Sequence, residues 1–156
     1  MFMFSLPIIS ALLGVFIAQF LKIPIHLIME RKLKPSLFFS TGGMPSSHTA
    51  TVVSLATSVG LLEGFDSTFF AISAILAIIV MHDATGVRRH AGQHAAILND
   101  LLRDFRLLKE TVNPNLERTE KEQKLKELLG HKPIEVFFGA ILGIAIGIIM
   151  YNVYPL

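Results

Sequence analysis

The chain contains no cysteine, which excludes disulfides and thiolate metal sites and leaves the redox compartment unread. Charge is scarce. Only 17% of the 156 residues are charged, against 52% that are hydrophobic, and the mean hydropathy is +0.58. That balance is too apolar for an ordinary soluble domain and points to an integral membrane protein. No positive n-region and no small-residue cleavage site opens the chain, so the first apolar run is expected to stay in the mature protein. Repeats and low-complexity linkers are also absent, and 156 residues suit one membrane-embedded domain.

Four stretches read as membrane-embedded helices, near residues 5–29, 48–62, 67–83 and 134–151. The first is long enough to span, with Lys22 and Pro24 interrupting its end. The second is short for a hydrocarbon layer of about 30 Å. The last is the cleanest, with Pro133 suited to the first helical position. The expected fold is therefore all-α, a polytopic bundle of about four spans.

Charge orients this set. Of the 14 Lys and Arg residues, Arg31, Lys32 and Lys34 lie between the first two spans and ten more lie between Arg88 and Lys132. Lys22 alone falls within a span, and neither terminal tail nor the Glu63–Asp66 loop carries any. The positive-inside rule then puts residues 30–47 and 85–132 in the cytoplasm and both termini outside.

Residues 96–132 form the one long polar region. Ile97, Leu98, Leu101, Leu102, Phe105 and Leu108 recur at helical spacing between Asp100, Arg103, Asp104 and Arg106. This predicts an amphipathic helix on the membrane surface or capping the bundle. Asn113-Pro114-Asn115 predicts a turn, and Thr119 with Glu122 a capping box for a shorter helix ending at Gly130.

Two polar segments interrupt the apolar runs: Gly42-Gly43-Met44-Pro45-Ser46-Ser47-His48 and Gly86-Val87-Arg88-Arg89-His90-Ala91-Gly92-Gln93-His94. Small residues free backbone N–H groups to hold an oxyanion, arginines grip phosphate in a fork, and histidines move protons or attack phosphorus. Both segments fall at cytoplasmic helix ends, so they can share a site. His48 stands at a helix start, where N–H groups and the dipole favour an anion. Ser46 or Ser47 also suits a plain N-cap. Arg88 and Arg89 have their own structural alternative, anchoring to anionic lipid. On a helix His90 and His94 share one face. No acidic residue of the HExxH kind lies between them, so no metal site is expected.

Asp83, at the end of an apolar run, needs a partner, and Arg88 or a histidine suits it. Lys22 lies seven residues before the end of its run, roughly 10 Å deep by helical rise. Snorkelling and phosphate binding both remain open for it. Glu135 poses a weaker version of the same question, while His26, His82 and His131 have no constellation around them and read as structural. Gly139, Gly143 and Gly147 fall four apart, as do Gly14 and Ala18. This spacing suits close helix packing within the bundle, with self-association into a homo-oligomer as the lesser reading.

At these residues the chain resembles the divergent branch of the type 2 phosphatidic acid phosphatase and vanadium haloperoxidase-related proteins. The resemblance covers essentially the whole chain. It rests on Gly42 to His48, Asp83-Ala84-Thr85-Gly86-Val87-Arg88-Arg89-His90-Ala91-Gly92, Leu98-Asn99, and Leu128-Leu129-Gly130-His131-Lys132-Pro133-Ile134-Glu135-Val136. It implies a phosphatase working through three motifs, Lys-x6-Arg-Pro, Pro-Ser-Gly-His and Ser-Arg-x5-His-x3-Asp.

Pro45-Ser46-Ser47-His48 matches the second motif, which implies His48 as general acid. The third implies a histidine nucleophile that becomes a phosphohistidine. Arg88-x5-His94 keeps its spacing but has Leu98 in place of the aspartate. Choosing His90 puts His94 in the aspartate's place and Ala84 in the arginine's. The resemblance implies glutamine as common at the position of His94, which favours His90. The first motif is broken: Lys22 and Arg31 are eight residues apart in between, and Lys34-Pro35 is the nearest echo of its Arg-Pro. Membrane members of the superfamily commonly have six spans, against four here.

The combined expectation is a phosphomonoesterase acting on an inner-leaflet phospholipid or polyprenyl phosphate, or on a lipid pyrophosphate. Its catalytic group would be His48, His90, His94 and Asp83. Arg88, Arg89, Ser46, Ser47, Gly43 and Lys22 would bind phosphate, without metal or cofactor and without nucleic acid as partner. The rival is a non-catalytic protein that holds anionic headgroups. A small transporter fits less well, since the buried charges form no relay through the bundle, and vanadate-dependent halide oxidation does not suit a membrane-embedded chain of this size.

Overall fold

The computed structural model describes residues 5–31, 38, 42–112, 125 and 130–153. Among these there are five helices and no strand: α1 (Leu6–Glu30), α2 (Ser47–Glu63), α3 (Thr68–Thr85), α4 (Val87–Val112) and α5 (Pro133–Val153). The expected all-α bundle is what forms. α1, α5 and the continuous stretch Thr68–Lys109 are long and apolar enough to cross a membrane. α2 has 17 residues, about 26 Å at 1.5 Å per residue. It packs against α1, α3 and α5 and is the centre of the bundle.

Local chemistry sets the helix ends. The Ser46 and Ser67 side chains cap α2 and α3 by accepting N–H groups of Thr49 and Phe70. α1 ends in a left-handed Arg31 with φ 52°. Pro24 does not interrupt α1, which continues for six residues beyond it to Glu30. Neighbouring helices make such a proline tolerable in a span.

Burial runs opposite to that of a soluble protein. The inner stripe of α1 is Leu6, Ser10, Gly14, Ala18 and Lys22, one residue every four. α2 contributes Ala50, Ser54, Ser58 and Gly60, and α5 contributes Gly139, Gly143 and Gly147. Ile8, Leu12, Phe16, Phe20, Ile72 and Phe137 instead face outward. Lipid is as apolar as leucine, so helices gain from close backbone approach and interhelical hydrogen bonds rather than from burying large side chains. Ser54 supplies such a bond, its Oγ donating to the Ser10 carbonyl at 3.0 Å. The glycine stripe of α5 lies against Ser46, the N-cap of α2, and Thr49, Ala50, Val53, Ser54 and Thr57 within that helix. That face, which the sequence also offered for self-association, is occupied within the chain.

α4 begins earlier than the sequence pattern suggested, at Val87, so Arg88 to His94 are its first turns. Gly86 ends α3 and turns the chain into it. α4 packs against α3 alone among the described helices. Ile97, Leu101, Phe105 and Leu108 stay exposed on it, which suits a helix lying on a membrane surface. The Asn113-Pro114-Asn115 turn, the Thr119–Glu122 capping box, the body of the shorter helix, and Lys32, Lys34 and Pro35 lie outside the described residues.

Candidate functional site

The alternating helix directions bring the ends of α1 and α3 and the starts of α2 and α5 to one end of the bundle. Backbone contacts tie them there. The Ser46 N–H donates to the Glu135 carbonyl, and the His131 N–H to the Ala84 carbonyl, each at 2.9 Å. Gly130, with φ +84°, sits so tightly against the backbone of Arg88 and Arg89 that no Cβ fits. The segment before α5 thus reaches both the loop before α2 and the α3–α4 junction.

Around this junction the polar side chains gather. Arg88 Nε meets Asp83 Oδ2 at 2.5 Å, the pairing the sequence suggested for Asp83. His48 is exposed on the first turn of α2, between the buried Ser47 and Thr49. The charges of Arg88, Lys22 and Asp83, and that of His131 when it is protonated, act on it. Lys22 is 1% exposed, which rules out snorkelling, and the Glu135 charge acts on it. A Cβ built on Gly43 would lie 3.9 Å from Lys22 Cδ, so the small-residue loop covers this lysine. Gly43 has φ +93°, a conformation that favours glycine.

Other candidates stand differently. Ser46 is the N-cap, its Oγ accepting from Thr49 N at 3.4 Å and Thr49 Oγ1 at 3.0 Å. Its hydroxyl is therefore committed to structure. Ser46→Ala is expected to cost about 1 kcal/mol of stability, read as a lower denaturation midpoint in detergent. Ser47 is buried beside it. Arg89, His90 and His94 are exposed on α4, where His90 Nδ1 lies 3.2 Å from Gln93 Oε1 of its own helix. Among the described residues no hydrogen bond or ion pair links His90 or His94 to the group around His48. Further along α4, the Asn99 side chain brackets Leu125, donating to its carbonyl at 2.9 Å and accepting its N–H at 3.1 Å.

A model of the family described as "Divergent PAP2 family" matches residues 4–146. The chain belongs to that family. YuiD of Bacillus subtilis (strain 168), described as an uncharacterized membrane protein, is 52% identical over 148 residues, covering 94% of each chain. No solved structure matches. The family and the three apolar helices together make this a membrane protein.

For a member of the divergent PAP2 family, the unexpected part of the site is His131. It reads as structural in sequence, yet it is 3% exposed and lies within the group that acts on His48. Its Nδ1 is 2.8 Å from Glu135 Oε2. The signal available in the sequence was the spacing of four residues to Glu135, which places the two on facing positions at a helix start.

Proposed function

We propose that this protein is a membrane phosphatase that removes phosphate from a phosphorylated lipid at the cytoplasmic leaflet. The observation that carries the reading is the gathering of Lys22, the Gly43 loop, His48 and the Asp83–Arg88 pair at one end of the bundle. Phosphoryl transfer needs positioning and stabilisation of the equatorial oxygens more than covalent chemistry from the protein. Arg88 supplies a fork donor, held in place by Asp83. Lys22 adds a positive charge beneath the loop, and the backbone N–H groups of Gly43, Met44 and Ser47 complete the cradle. His48, exposed on its helix start, protonates the leaving oxygen.

The Lys and Arg distribution supports that leaflet, and with it termini on the outer side. Substrates made on that face include phosphatidate, phosphatidylglycerophosphate and polyprenyl phosphate or pyrophosphate. A second reading, headgroup binding without hydrolysis, is favoured by the broken first motif and by the lack, among the described residues, of a bond linking His90 or His94 to His48.

Phosphate release by the purified protein in detergent from these lipids separates the two readings. Release from one lipid class is expected. Absence of release from every lipid, by a folded protein that still binds vesicles rich in anionic lipid, would establish the headgroup-binding reading instead.

A further inference from the structure

We propose that His131, oriented by Glu135, is the nucleophile that receives the phosphoryl group. This rests on the phosphatase reading above and changes which histidine carries its covalent step. A carboxylate can only accept, so the 2.8 Å contact of His131 Nδ1 with Glu135 Oε2 puts a hydrogen on Nδ1. When the ring is neutral, its lone pair is then on Nε2. That nitrogen is buried and has no hydrogen-bond partner among the described residues. A buried polar atom left unsatisfied is costly and calls for an explanation, a ligand among them.

A purely structural role would leave this atom unexplained. Glu135 does act as a helix-start cap, accepting the Lys132 N–H at 3.2 Å. That second bond fixes the carboxylate and through it the ring, which is how a carboxylate prepares a histidine for chemistry. The position is also suitable. The His131 N–H is tied to Ala84, next to Asp83, and Glu135 receives the Ser46 N–H two residues before His48. The segment carrying His131 is therefore tied through the backbone both to the helix end that carries Asp83, the partner of the arginine that would hold the phosphate, and to the loop that leads to the histidine that would protonate its leaving group.

The step balances with these groups alone. The Nε2 lone pair forms a bond to phosphorus as the bond from phosphorus to the lipid oxygen breaks, and His48 gives that oxygen its proton. The Nδ1 proton stays on the ring, donated to Glu135 Oε2, which balances the positive charge the ring gains. Water then attacks phosphorus, His48 takes a proton from it, and the phosphorus–nitrogen bond breaks to release phosphate and restore both histidines.

The test uses inorganic phosphate as probe, so it does not depend on knowing the lipid. The purified full-length protein in detergent is incubated with ¹⁸O-labelled phosphate, and loss of label to water is followed by ³¹P NMR. A histidine that is phosphorylated reversibly exchanges phosphate oxygens with water. His131→Ala is expected to lower exchange by about 10⁶-fold, and Glu135→Gln by about 10⁴-fold. Should His131→Ala fail to fold, quenching the native protein during turnover in alkaline denaturant and mapping its peptides at alkaline pH still decide the matter. An acid-labile phosphoryl group on His131 is expected, and one on His90 or His94 overturns the proposal. Wild-type exchange by His131→Ala overturns it as well. Lipid hydrolysis without exchange or phosphoryl-enzyme defeats the His131 assignment alone, whereas a native protein that neither hydrolyses nor exchanges defeats the phosphatase reading and this one with it.

Discussion

Replacing His48 by alanine is expected to lower phosphate release by about 10²–10⁴-fold, the usual contribution of a positioned general acid. The side chain is exposed while Ser47 and Thr49 on either side are buried, so its removal takes away a reachable proton donor and leaves the helix start packed. Capping by Ser46 does not involve the imidazole, and the denaturation midpoint should stay close to that of the native protein. The pattern of loss matters more than its size. A proton delivered in the transition state affects kcat, whereas a group that only binds phosphate affects KM. A lipid with a better leaving group, such as a pyrophosphate in place of a monoester, should lose less on the substitution. An unchanged kcat for every lipid would remove His48 from the mechanism.

The residues around His48 show what a sequence carries and what it does not. Helix placement was legible because each apolar run is bounded by capping or breaking residues such as Ser46, Ser67 and Pro133. The Asp83–Arg88 pair was legible because a carboxylate ending a span has few partners to choose from. Lys22 was half legible. It continues the four-residue register of Gly14 and Ala18, which alone would place it on the inner stripe of α1. Its burial depends on the Gly43 loop folding over it, a contact more than 20 positions away in the chain.

His131 was not legible as a site residue. Its neighbours, Gly130, Lys132 and Pro133, read as the end of one helix and the start of another. Its importance comes from the bond to Ala84 and the seating of Gly130 on Arg88 and Arg89, contacts that only the assembled bundle makes. The His90–His94 face was legible as a face, but the direction in which α4 leaves α3 at Gly86 decides what that face meets. No local pattern fixes that direction.

The glycine stripe of α5 gives the second large effect, on the bundle itself. Gly143→Leu is expected to destabilise the protein by about 3 kcal/mol or more, seen as a sharply lower denaturation midpoint in detergent and a reduced folded yield. Even the first added carbon, Cβ, would lie 2.8 Å from the Ala50 carbonyl oxygen, 2.8 Å from Val53 Cβ and 3.0 Å from Ser54 N. Two of these atoms are backbone and the third is a Cβ, so none can swing aside and α5 must move away from α2. That movement would also strain the Ser46–Glu135 link at the site end, so activity should fall with stability. Ala145→Leu supplies the control, because Ala145 lies two residues further on and is exposed. A leucine there adds the same kind of bulk toward lipid and should leave the midpoint unchanged. Equal tolerance of both substitutions would mean that α2 and α5 do not pack through this stripe, and the glycine face would again be available for a second copy of the chain.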